Sequence, residues 1–182
     1  MPKNSIALIG FMCTGKSTVG RILAKTLGKE YRFVETDEII EDLANKSIPN
    51  IFSEDGELKF REYEIEACKQ VSTYNKVVIS CGGGVVLNKI NIDYLKRNSF
   101  IVLLEAMPEI IYKRAMKDGK ETRPVINKED VREEIKKKLH FREPFYRTAA
   151  DIIINTSNKS IKYIVNEIIR KTNLRDNIKK NE

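Results

Sequence analysis

Five short apolar runs alternate along the chain with longer segments in which apolar residues recur at helical spacing. The runs lie at residues 5–9, 31–34, 77–80, 100–104 and 151–154. Each run is separated from the next by enough residues to carry a helix, which is typical of parallel strands joined by helical crossovers. The pattern therefore predicts a three-layer α/β fold, in which a five-stranded parallel sheet is flanked by helices on both faces.

Helical periodicity is clearest in three segments, two between the apolar runs and one after the last of them. They lie at residues 19–27, 56–74 and 160–172. The last of them has one aliphatic face, formed by Ile161, Ile164, Val165, Ile168 and Ile169. Ser160 precedes this face and is a plausible N-cap. We therefore expect a final helix from Ser160 to about Thr172.

The composition changes between the fourth and fifth runs. Residues 117–138 contain DGKETRP followed by REEIKKK, with few apolar side chains to anchor them. We expect a mobile lid in this region. Residues 173–182 are mostly polar and predict a frayed tail. The chain is thus expected to form one domain over residues 1–172, with the lid at about 117–138 and the polar tail at 173–182.

Composition narrows the class of protein without choosing a reaction. The chain has 182 residues, of which 41% are hydrophobic, and this suits one compact domain with a sizeable core. Lys and Arg exceed Asp and Glu by 33 to 26, giving a net charge of +7. Such a charge favours anionic partners, which include nucleotides, acidic metabolites and nucleic acid.

Other residue counts bear on location and chemistry. No run approaches the roughly 18 apolar residues of a membrane-spanning helix, and residues 2–4 do not open a secretory signal, so we expect a cytoplasmic protein that does not bind membranes. Cys13, Cys68 and Cys81 lack zinc-ligand spacing and fit thiols in a reducing compartment. With His140 as the single histidine, a histidine-based metal site or catalytic triad is not expected.

The strongest motif is GFMCTGKS at residues 10–17, a full match to G-x4-G-K-S/T directly after a predicted strand and before a predicted helix. In such a loop, backbone N–H groups surround phosphate oxygens. Lys16 can reach the β and γ phosphates, and the Ser17 hydroxyl can ligate Mg²⁺. The alternative is a glycine turn that only caps a helix. A chance match in a chain of this length has a likelihood on the order of one per cent.

Further motifs follow the phosphate loop in a characteristic order. They are GFMCTGKST at 10–18, ETD at 35–37, SIPNIFSEDGELKFREYE at 47–64, CGGGVV at 81–86, TRP at 122–124 and FREPFY at 141–146. This set resembles the shikimate kinase family over about residues 6–169. The GE-x-x-FR-x-x-E block and the triple glycine are more specific than the phosphate loop alone.

The resemblance implies a P-loop fold of the nucleoside-monophosphate-kinase type and transfer of the ATP γ-phosphoryl group to the 3-hydroxyl of shikimate. Asp37 would orient or deprotonate the acceptor hydroxyl as a catalytic residue. Arg61 and Arg142 would bind the shikimate carboxylate, and Glu64 would position Arg61. The remaining implied acceptor contacts are backbone N–H groups of Gly82, Gly83 and Gly84.

The resemblance also implies a nucleotide side. The loop residues expected to bind ATP are Cys13, Thr14, Gly15, Lys16, Ser17 and Thr18. Arg114 and Lys159 match places where the family packs basic side chains against adenine. Lys16 and, from the lid, Arg123 would stabilise the transferring phosphoryl group, so both are expected to be catalytic. The Mg²⁺ that accompanies ATP is expected at Ser17 and Glu35.

Two positions depart from the family pattern. The usual D-T/S-D reads Glu35-Thr36-Asp37, so the first carboxylate keeps its charge and gains one methylene. Cys13 stands where the family usually has glycine. If this position needs a positive φ, cysteine is strained there, and otherwise it is a small filler. Near a helix N-terminus and Lys16, its thiol is a candidate for reaction with thiol reagents.

The chemistry of the residues supports these roles, but each has a simpler alternative. A carboxylate substrate calls for guanidinium forks, and a hydroxyl acceptor for a carboxylate base. Yet Thr36 or Asp37 could simply cap a helix, and Arg61 with Glu64 could be a solvated surface pair three residues apart. The three glycines could be only a turn. The basic run 132–138 is best interpreted as a solvated helix face.

Three other functions stay open at this point. One is a kinase for another hydroxylated acid such as gluconate, against which the acceptor motifs argue. The second is a nucleotide-dependent switch or nucleic-acid-binding protein, although the chain shows neither an aromatic stacking motif nor a helix-turn-helix signature. The third is a non-catalytic relative of the kinase. The main expectation is a monomeric enzyme that binds ATP and shikimate, without nucleic acid.

Overall fold

A central parallel sheet organises the chain in the computed structural model, which describes residues 3–117 and 131–174. The strands are β1 Ser5–Ile9, β2 Arg32–Glu35, β3 Val77–Ser80, β4 Ser99–Glu105 and β5 Ile152–Asn155. Their order in the sheet is β2-β3-β1-β4-β5, and every neighbouring pair is parallel. The predicted five-stranded parallel sheet is therefore confirmed, with strand ends within about two residues of those expected from the sequence.

Helices connect the strands and cover both faces of the sheet. In the described part of the chain they are α1 Lys16–Leu27, α2 Thr36–Ala44, α3 Ile48–Asn50, α4 Gly56–Val71, α5 Lys89–Leu95, α6 Pro108–Lys117, α7 Val131–Ala149 and α8 Ile161–Thr172. A π-helical turn, Ile51–Asp55, leads into α4, and a 3₁₀ turn, Val85–Leu87, leads into α5.

Strand β1 shows why the sheet needs helices on both sides. Successive side chains of a strand point to opposite faces. Accordingly, Ile6 and Leu8 join the core shared with α1 and α8, whereas Ala7 and Ile9 join the core shared with α4, α5 and α7. All four are fully buried. The continuous apolar run thus reflects burial on both faces, as expected for a central parallel strand.

A smaller apolar cluster lies away from the sheet. Ile40 of α2, Ile51 of the π-helical turn and Phe60 and Ala67 of α4 are its buried members. Phe52 stacks on Phe60 with ring centroids 4.6 Å apart. This packing fixes α2, which carries Asp37, against α4, which carries Arg61 and Glu64.

Two helix N-caps expected from the sequence can be compared with the structure. The Ser160 hydroxyl accepts a hydrogen bond from the Tyr163 backbone N–H, so the predicted cap of α8 is confirmed. The capping alternative for Thr36 or Asp37 is wrong. Helix α2 begins at Thr36 with Glu35 in the cap position, and Asp37 lies within the first turn.

Two segments expected to be loosely held are better anchored where the structure describes them. Residues 131–138, assigned to the lid, form the first turns of α7, with Val131 and Ile135 buried. Leu174, in the predicted tail, is 2% exposed and packs in the α1–α8 core. Isolated apolar residues in polar surroundings were enough to anchor both. Residues 118–130 and 175–182 lie outside the described residues.

Topology places a cleft at the carboxyl ends of the central strands. Strand β1 has β3 on one side and β4 on the other, so the connections leaving β1 and β3 run in opposite directions across the sheet. In open α/β sheets, ligands bind in the crevice at such a switch point. None of the helices within residues 3–117 and 131–174 has the length and apolarity needed to cross a membrane.

Candidate active site

The cleft has a volume of about 960 Å³ and brings the predicted nucleotide and acceptor residues together. It is lined on one side by the phosphate loop after β1. The other side is lined by α2, α4, the turn after β3 and α7. A volume of this size is ample for a nucleotide and a small acid.

Glycine is required at both ends of the phosphate loop. Gly10 has φ +142°, and a Cβ there would collide with the backbone oxygen of Leu104. Gly15, with φ +97°, precedes α1 in the left-handed region. Between them, the Thr14 hydroxyl donates to Phe11 O at 2.9 Å. These constraints fold residues 10–15 into a turn that ends at the N-terminus of α1, and the backbone N–H groups of such a helix start are suited to binding phosphate.

The Lys16 ammonium is held against the same loop. Its Nζ donates to the backbone oxygens of Gly10 and Phe11, at 2.9 Å in each case. Cys13, which stands where glycine is usual in the resembling family, has φ +59°. The position is therefore one that favours glycine, and a non-glycine residue there is strained by about 1–2 kcal/mol.

A hydroxyl and a carboxylate meet at the start of α1. Ser17 Oγ donates to Glu35 Oε1, and Ser80 Oγ lies 3.4 Å from Ser17 Oγ. Arg21 Nη2 donates to Glu35 Oε2 at 2.8 Å, while its guanidinium lies 4.5 Å from the Phe33 ring centroid. The longer side chain of Glu35 thus contacts the Ser17 hydroxyl, while their role in binding a metal stays a prediction.

Asp37 projects from the first turn of α2 into the cleft. Although it is open to the cleft, the surrounding protein removes hydration and raises the pKa of the carboxyl group, a shift that Lys16 opposes. Its neighbour Thr36 is buried and accepts a hydrogen bond from Gly82 N–H at 3.0 Å. A Cβ on Gly82 would lie 2.8 Å from Asp37 Oδ1, so these segments are in close contact.

Arg61 lies between two carboxylates of its own helix. Its Nη1 donates to Glu64 Oε2 at 3.1 Å, and its Nη2 donates to Glu57 Oε1 at 2.9 Å. Glu64 is 1% exposed, so this is not the solvated surface pair of the simpler alternative. Burial raises the pKa of Glu64, and Arg61 opposes that shift. The guanidinium is therefore fixed in orientation where it faces the cleft.

The turn after β3 connects these groups with α7. Gly83 O accepts hydrogen bonds from Arg142 Nη1 at 3.3 Å and from Tyr146 Oη at 2.5 Å. Tyr146 is 2% exposed, and burial raises its pKa to about 12, so the hydroxyl keeps its proton and donates. Arg142 of α7 thus reaches the same turn as Arg61 of α4.

Basic residues also border the phosphate loop. Arg114 donates to Cys13 O at 3.0 Å and to Thr156 O at 3.3 Å, so it ties the loop to the segment after β5. Lys159 lies 3.6 Å from Glu167 and 4.8 Å from the Tyr163 ring. Both basic side chains line the cleft. Arg123, the predicted lid arginine, lies outside the described residues.

Several residues of the site were not singled out from the sequence. They are Thr36, Ser80, Asn91, Tyr146 and Thr156. Tyr146 could have been found, because it follows Arg142 by four residues in FREPFY and therefore shares its helix face. Ser80 and Asn91 carry no such signal. Their roles depend on contacts between residues distant in sequence.

Comparisons with known proteins agree with this geometry. Residues 12–173 match the shikimate kinase family. The shikimate kinase of Caldanaerobacter subterraneus subsp. tengcongensis is 43% identical over 166 residues, covering 91% of this chain and 94% of that protein. The shikimate kinase of Hahella chejuensis is 41% identical over 168 residues, covering 92% and 85%.

The fold is also similar to that of a solved structure. The shikimate kinase from Acinetobacter baumannii in complex with shikimate superimposes with a TM-score of 0.85 and 31% sequence identity, and 92% of each chain is covered. The family match spans most of this chain, and the relatives are similar over nearly their whole length. The protein described here therefore belongs to the shikimate kinase family of ATP-dependent phosphotransferases.

Proposed function

We propose that this chain transfers the γ-phosphoryl group of ATP to the 3-hydroxyl of shikimate, giving shikimate 3-phosphate and ADP in the biosynthesis of chorismate and the aromatic amino acids. Membership of the family supports this reaction. The observation that carries the proposal is a pair of guanidinium groups, Arg61 and Arg142, which both lie against the 82–84 turn. They face the cleft that the phosphate loop also lines, so an acidic acceptor and a phosphate donor meet there.

On the donor side, residues 13–18 bind the phosphates of ATP. Backbone N–H groups at the start of α1 surround the phosphate oxygens. Lys16 exchanges its bonds to the Gly10 and Phe11 oxygens for the β and γ phosphates, which places its charge where negative charge develops. Arg114 and Lys159 border the adenine. Arg123 adds positive charge to the transferring group.

Oxygen ligands suited to Mg²⁺ are present beside these phosphates. The Ser17 hydroxyl and the Glu35 carboxylate contact each other, and hard oxygen donors are what Mg²⁺ prefers. Ser17 would ligate the ion directly, and Glu35 would hold it through water. When bound, the ion would neutralise part of the phosphate charge.

On the acceptor side, Arg61 and Arg142 bind the shikimate carboxylate. Glu64 keeps Arg61 in its orientation because it pairs with Arg61 Nη1. Arg61 Nη2 donates to the exposed Glu57, a bond that the substrate carboxylate can replace. Backbone groups of residues 82–84 approach the ring. A carboxylate oriented this way presents the 3-hydroxyl to Asp37, which accepts its proton during attack on the γ-phosphorus.

The environment in which the enzyme works is also part of the proposal. We assign it to the cytoplasm as a monomer. Cys68 and Cys81 are fully buried as thiols, as suits a protein kept reduced.

The proposal is tested by measuring ADP release with Mg-ATP in the presence of shikimate, gluconate, quinate or no acceptor. Turnover with shikimate alone supports it. Turnover only with another acid would mean that the donor side is interpreted correctly and the acceptor side is not. ATP binding without turnover would favour a non-catalytic relative. Lys16→Met serves as the background control, because it removes the phosphate-binding charge while leaving the loop glycines in place.

A further inference from the structure

Asn91 is a fully buried polar residue on α5, behind the acceptor side of the cleft. It does not line the cleft itself. Burying an amide side chain is unfavourable unless its polar atoms are bonded. A buried asparagine close to an active site therefore calls for an account of what each of its atoms does.

Only the donor half of the Asn91 amide is used. Its Nδ2 donates to Glu64 Oε2 at 3.2 Å and to Val85 O at 3.1 Å. Its Oδ1 is buried and has no hydrogen-bond partner among residues 3–117 and 131–174. An amide held with both N–H groups bonded and its oxygen unpaired is retained for its donors, because the acceptor contributes nothing here.

The two acceptors belong to the two segments that hold Arg61. Glu64 lies on α4 and pairs with Arg61 Nη1 through the same Oε2 atom that Asn91 contacts. Val85 directly follows Gly84, whose backbone lies against the Arg61 guanidinium. One amide group thus connects α4 to the turn after β3 at the place where both contact the arginine.

Electrostatics makes the contact to Glu64 important. A carboxylate that is 1% exposed is stable as a charge only when hydrogen-bond donors replace water. Arg61 supplies one such donor, and Asn91 supplies the other that is described for this side chain. Without Asn91, Glu64 would be short of one donor and free to turn away from Arg61.

We propose that Asn91 is a positioning residue for the phosphoryl acceptor: it holds Glu64 and the 82–85 turn in the arrangement that aims Arg61 at the substrate carboxylate. This inference rests on the proposed function, since it concerns the same acceptor site. Asn91 touches neither substrate nor phosphate, so it acts through Glu64 and Arg61. Replacing Asn91 should therefore weaken acceptor binding and leave nucleotide binding and phosphoryl transfer unchanged.

The first test is the steady-state kinetics of Asn91→Leu, which keeps the size of the side chain and removes both donors. Loss of a hydrogen bond to a charged group corresponds to a change of about tenfold or more in affinity. We expect the KM for shikimate to rise about tenfold, while kcat stays within twofold and the KM for ATP is unchanged. An unchanged KM for shikimate, or equal changes in both KM values, would overturn the inference.

A matched control removes a similar donor elsewhere. Asn98 precedes β4 at the opposite end of the sheet and donates to Tyr74 O and to Asn75 Oδ1. Asn98→Leu should lower the melting temperature without altering either KM value. If this variant raised the KM for shikimate as much as Asn91→Leu does, general destabilisation would explain both, and the positioning role would be wrong.

A second variant separates positioning from packing and remains informative if Asn91→Leu fails to fold. Asn91→Asp has the same shape, but its carboxylate cannot donate to Glu64 until it takes up a proton. The ratio of its kcat/KM for shikimate to that of the parental enzyme should therefore rise as the pH is lowered from 8 towards about 6. A ratio independent of pH would contradict the inference.

Other titrating groups near Glu64 are shared by the variant and the parent and cancel in this ratio. They are Arg61 on α4, Asp37 on α2, Tyr146 on α7 and the thiols of Cys68 and Cys81. The parental enzyme is measured first with shikimate. If it shows no turnover, the proposed function has failed and this inference falls with it. If the parental enzyme turns over shikimate and the Asn91 variants have the same kinetics, the proposed function stands and the role of Asn91 is rejected.

Discussion

The backbone of Gly84 lies directly against the guanidinium of Arg61. A Cβ on Gly84 would be 2.6 Å from Arg61 Nη1 and 3.0 Å from Nη2. The φ of Gly84 is −98°, a value open to any residue, so its glycine is needed for space and not for backbone conformation. Gly84, the third glycine of the triple, therefore leaves the space that the Arg61 guanidinium occupies.

Gly84→Ala should weaken acceptor binding. The added methyl group would displace the Arg61 guanidinium and disturb its pairing with Glu64. We expect the KM for shikimate to rise about tenfold, equivalent to about 1.4 kcal/mol, with little change in the KM for ATP. Gly83→Ala is the comparison, since a Cβ there meets only ordinary contacts of 3.7–3.8 Å. Its effect on the KM should be smaller; the reverse ranking would contradict the geometry.

Asp37→Asn should abolish turnover without weakening the fold. Loss of a general base lowers kcat by about 10² to 10⁴. Burial of the carboxyl group disfavours its ionised form, so a neutral amide relieves that penalty and the melting temperature should not fall. Glu38→Gln removes a neighbouring exposed carboxylate of the same helical turn and should leave kcat nearly unchanged. An Asp37→Asn variant with near-parental kcat would exclude the role assigned to Asp37.

The raised pKa of Asp37 also predicts the acid side of the pH profile. The base works only when ionised, so kcat/KM should decline as the pH falls through a pKa above the ordinary value of 3.8. The contribution of Asp37 to the free energy of unfolding has the opposite dependence on pH. The contribution of this group is full below its unfolded pKa and is lost as the pH rises through the folded pKa. Both limbs can be measured, by initial rates and by thermal unfolding across pH 3 to 8, and a decline in kcat/KM centred at or below 3.8 would count against the shift.

Cys13 should be the one cysteine that reacts in the native protein. Cys68 and Cys81 are fully buried, and burial raises the pKa of both thiols, whereas Cys13 is partly exposed in the phosphate loop. Brief treatment with iodoacetamide should add one label by intact mass, and Mg-ATP should slow this reaction. Equal labelling rates with and without Mg-ATP would show that the nucleotide does not cover the loop. Cys13→Gly should remove the label and retain activity.

Tyr146→Phe should affect acceptor binding through the turn that Tyr146 holds. Removing the hydroxyl leaves Gly83 O with only the longer bond from Arg142. We expect a loss of about 1 kcal/mol in the free energy of unfolding and a severalfold rise in the KM for shikimate. Tyr74→Phe removes a surface hydroxyl that accepts a hydrogen bond from Gln70 and serves as the matched control. Equal effects of the two variants would show that Gly83 is fixed by other contacts.

Much of the fold and of the site could be predicted from the sequence, for physical reasons. Buried parallel strands produce continuous apolar runs, so all five strands were recognisable. The phosphate loop depends on local glycine conformations that appear as a contiguous motif. The acceptor residues came from the family resemblance, because Arg61 with Glu64 is by spacing alone only a surface pair.

What the sequence did not reveal are the contacts made across the fold. The burial of Glu64 depends on α5 covering α4, and the bond from Asn91 joins residues 27 positions apart. The burial of Leu174 depends on the sheet face that α8 covers. Neither can be recognised from the neighbouring residues, since the partners meet only after the crossovers have formed.

Because of the strand order, different stretches of the chain line the phosphate side and the acceptor side of the cleft. Phosphate binding rests on one contiguous loop, supported by Arg114 and the segment after β5. Acceptor binding draws on four separate segments, α2, α4, the turn after β3 and α7. Under the proposed function, a substitution in any of these four segments would act first on acceptor binding. Redesign of the proposed acceptor pocket could therefore vary one segment at a time, with Phe11 and Gly83 as the places where the pocket meets the loop.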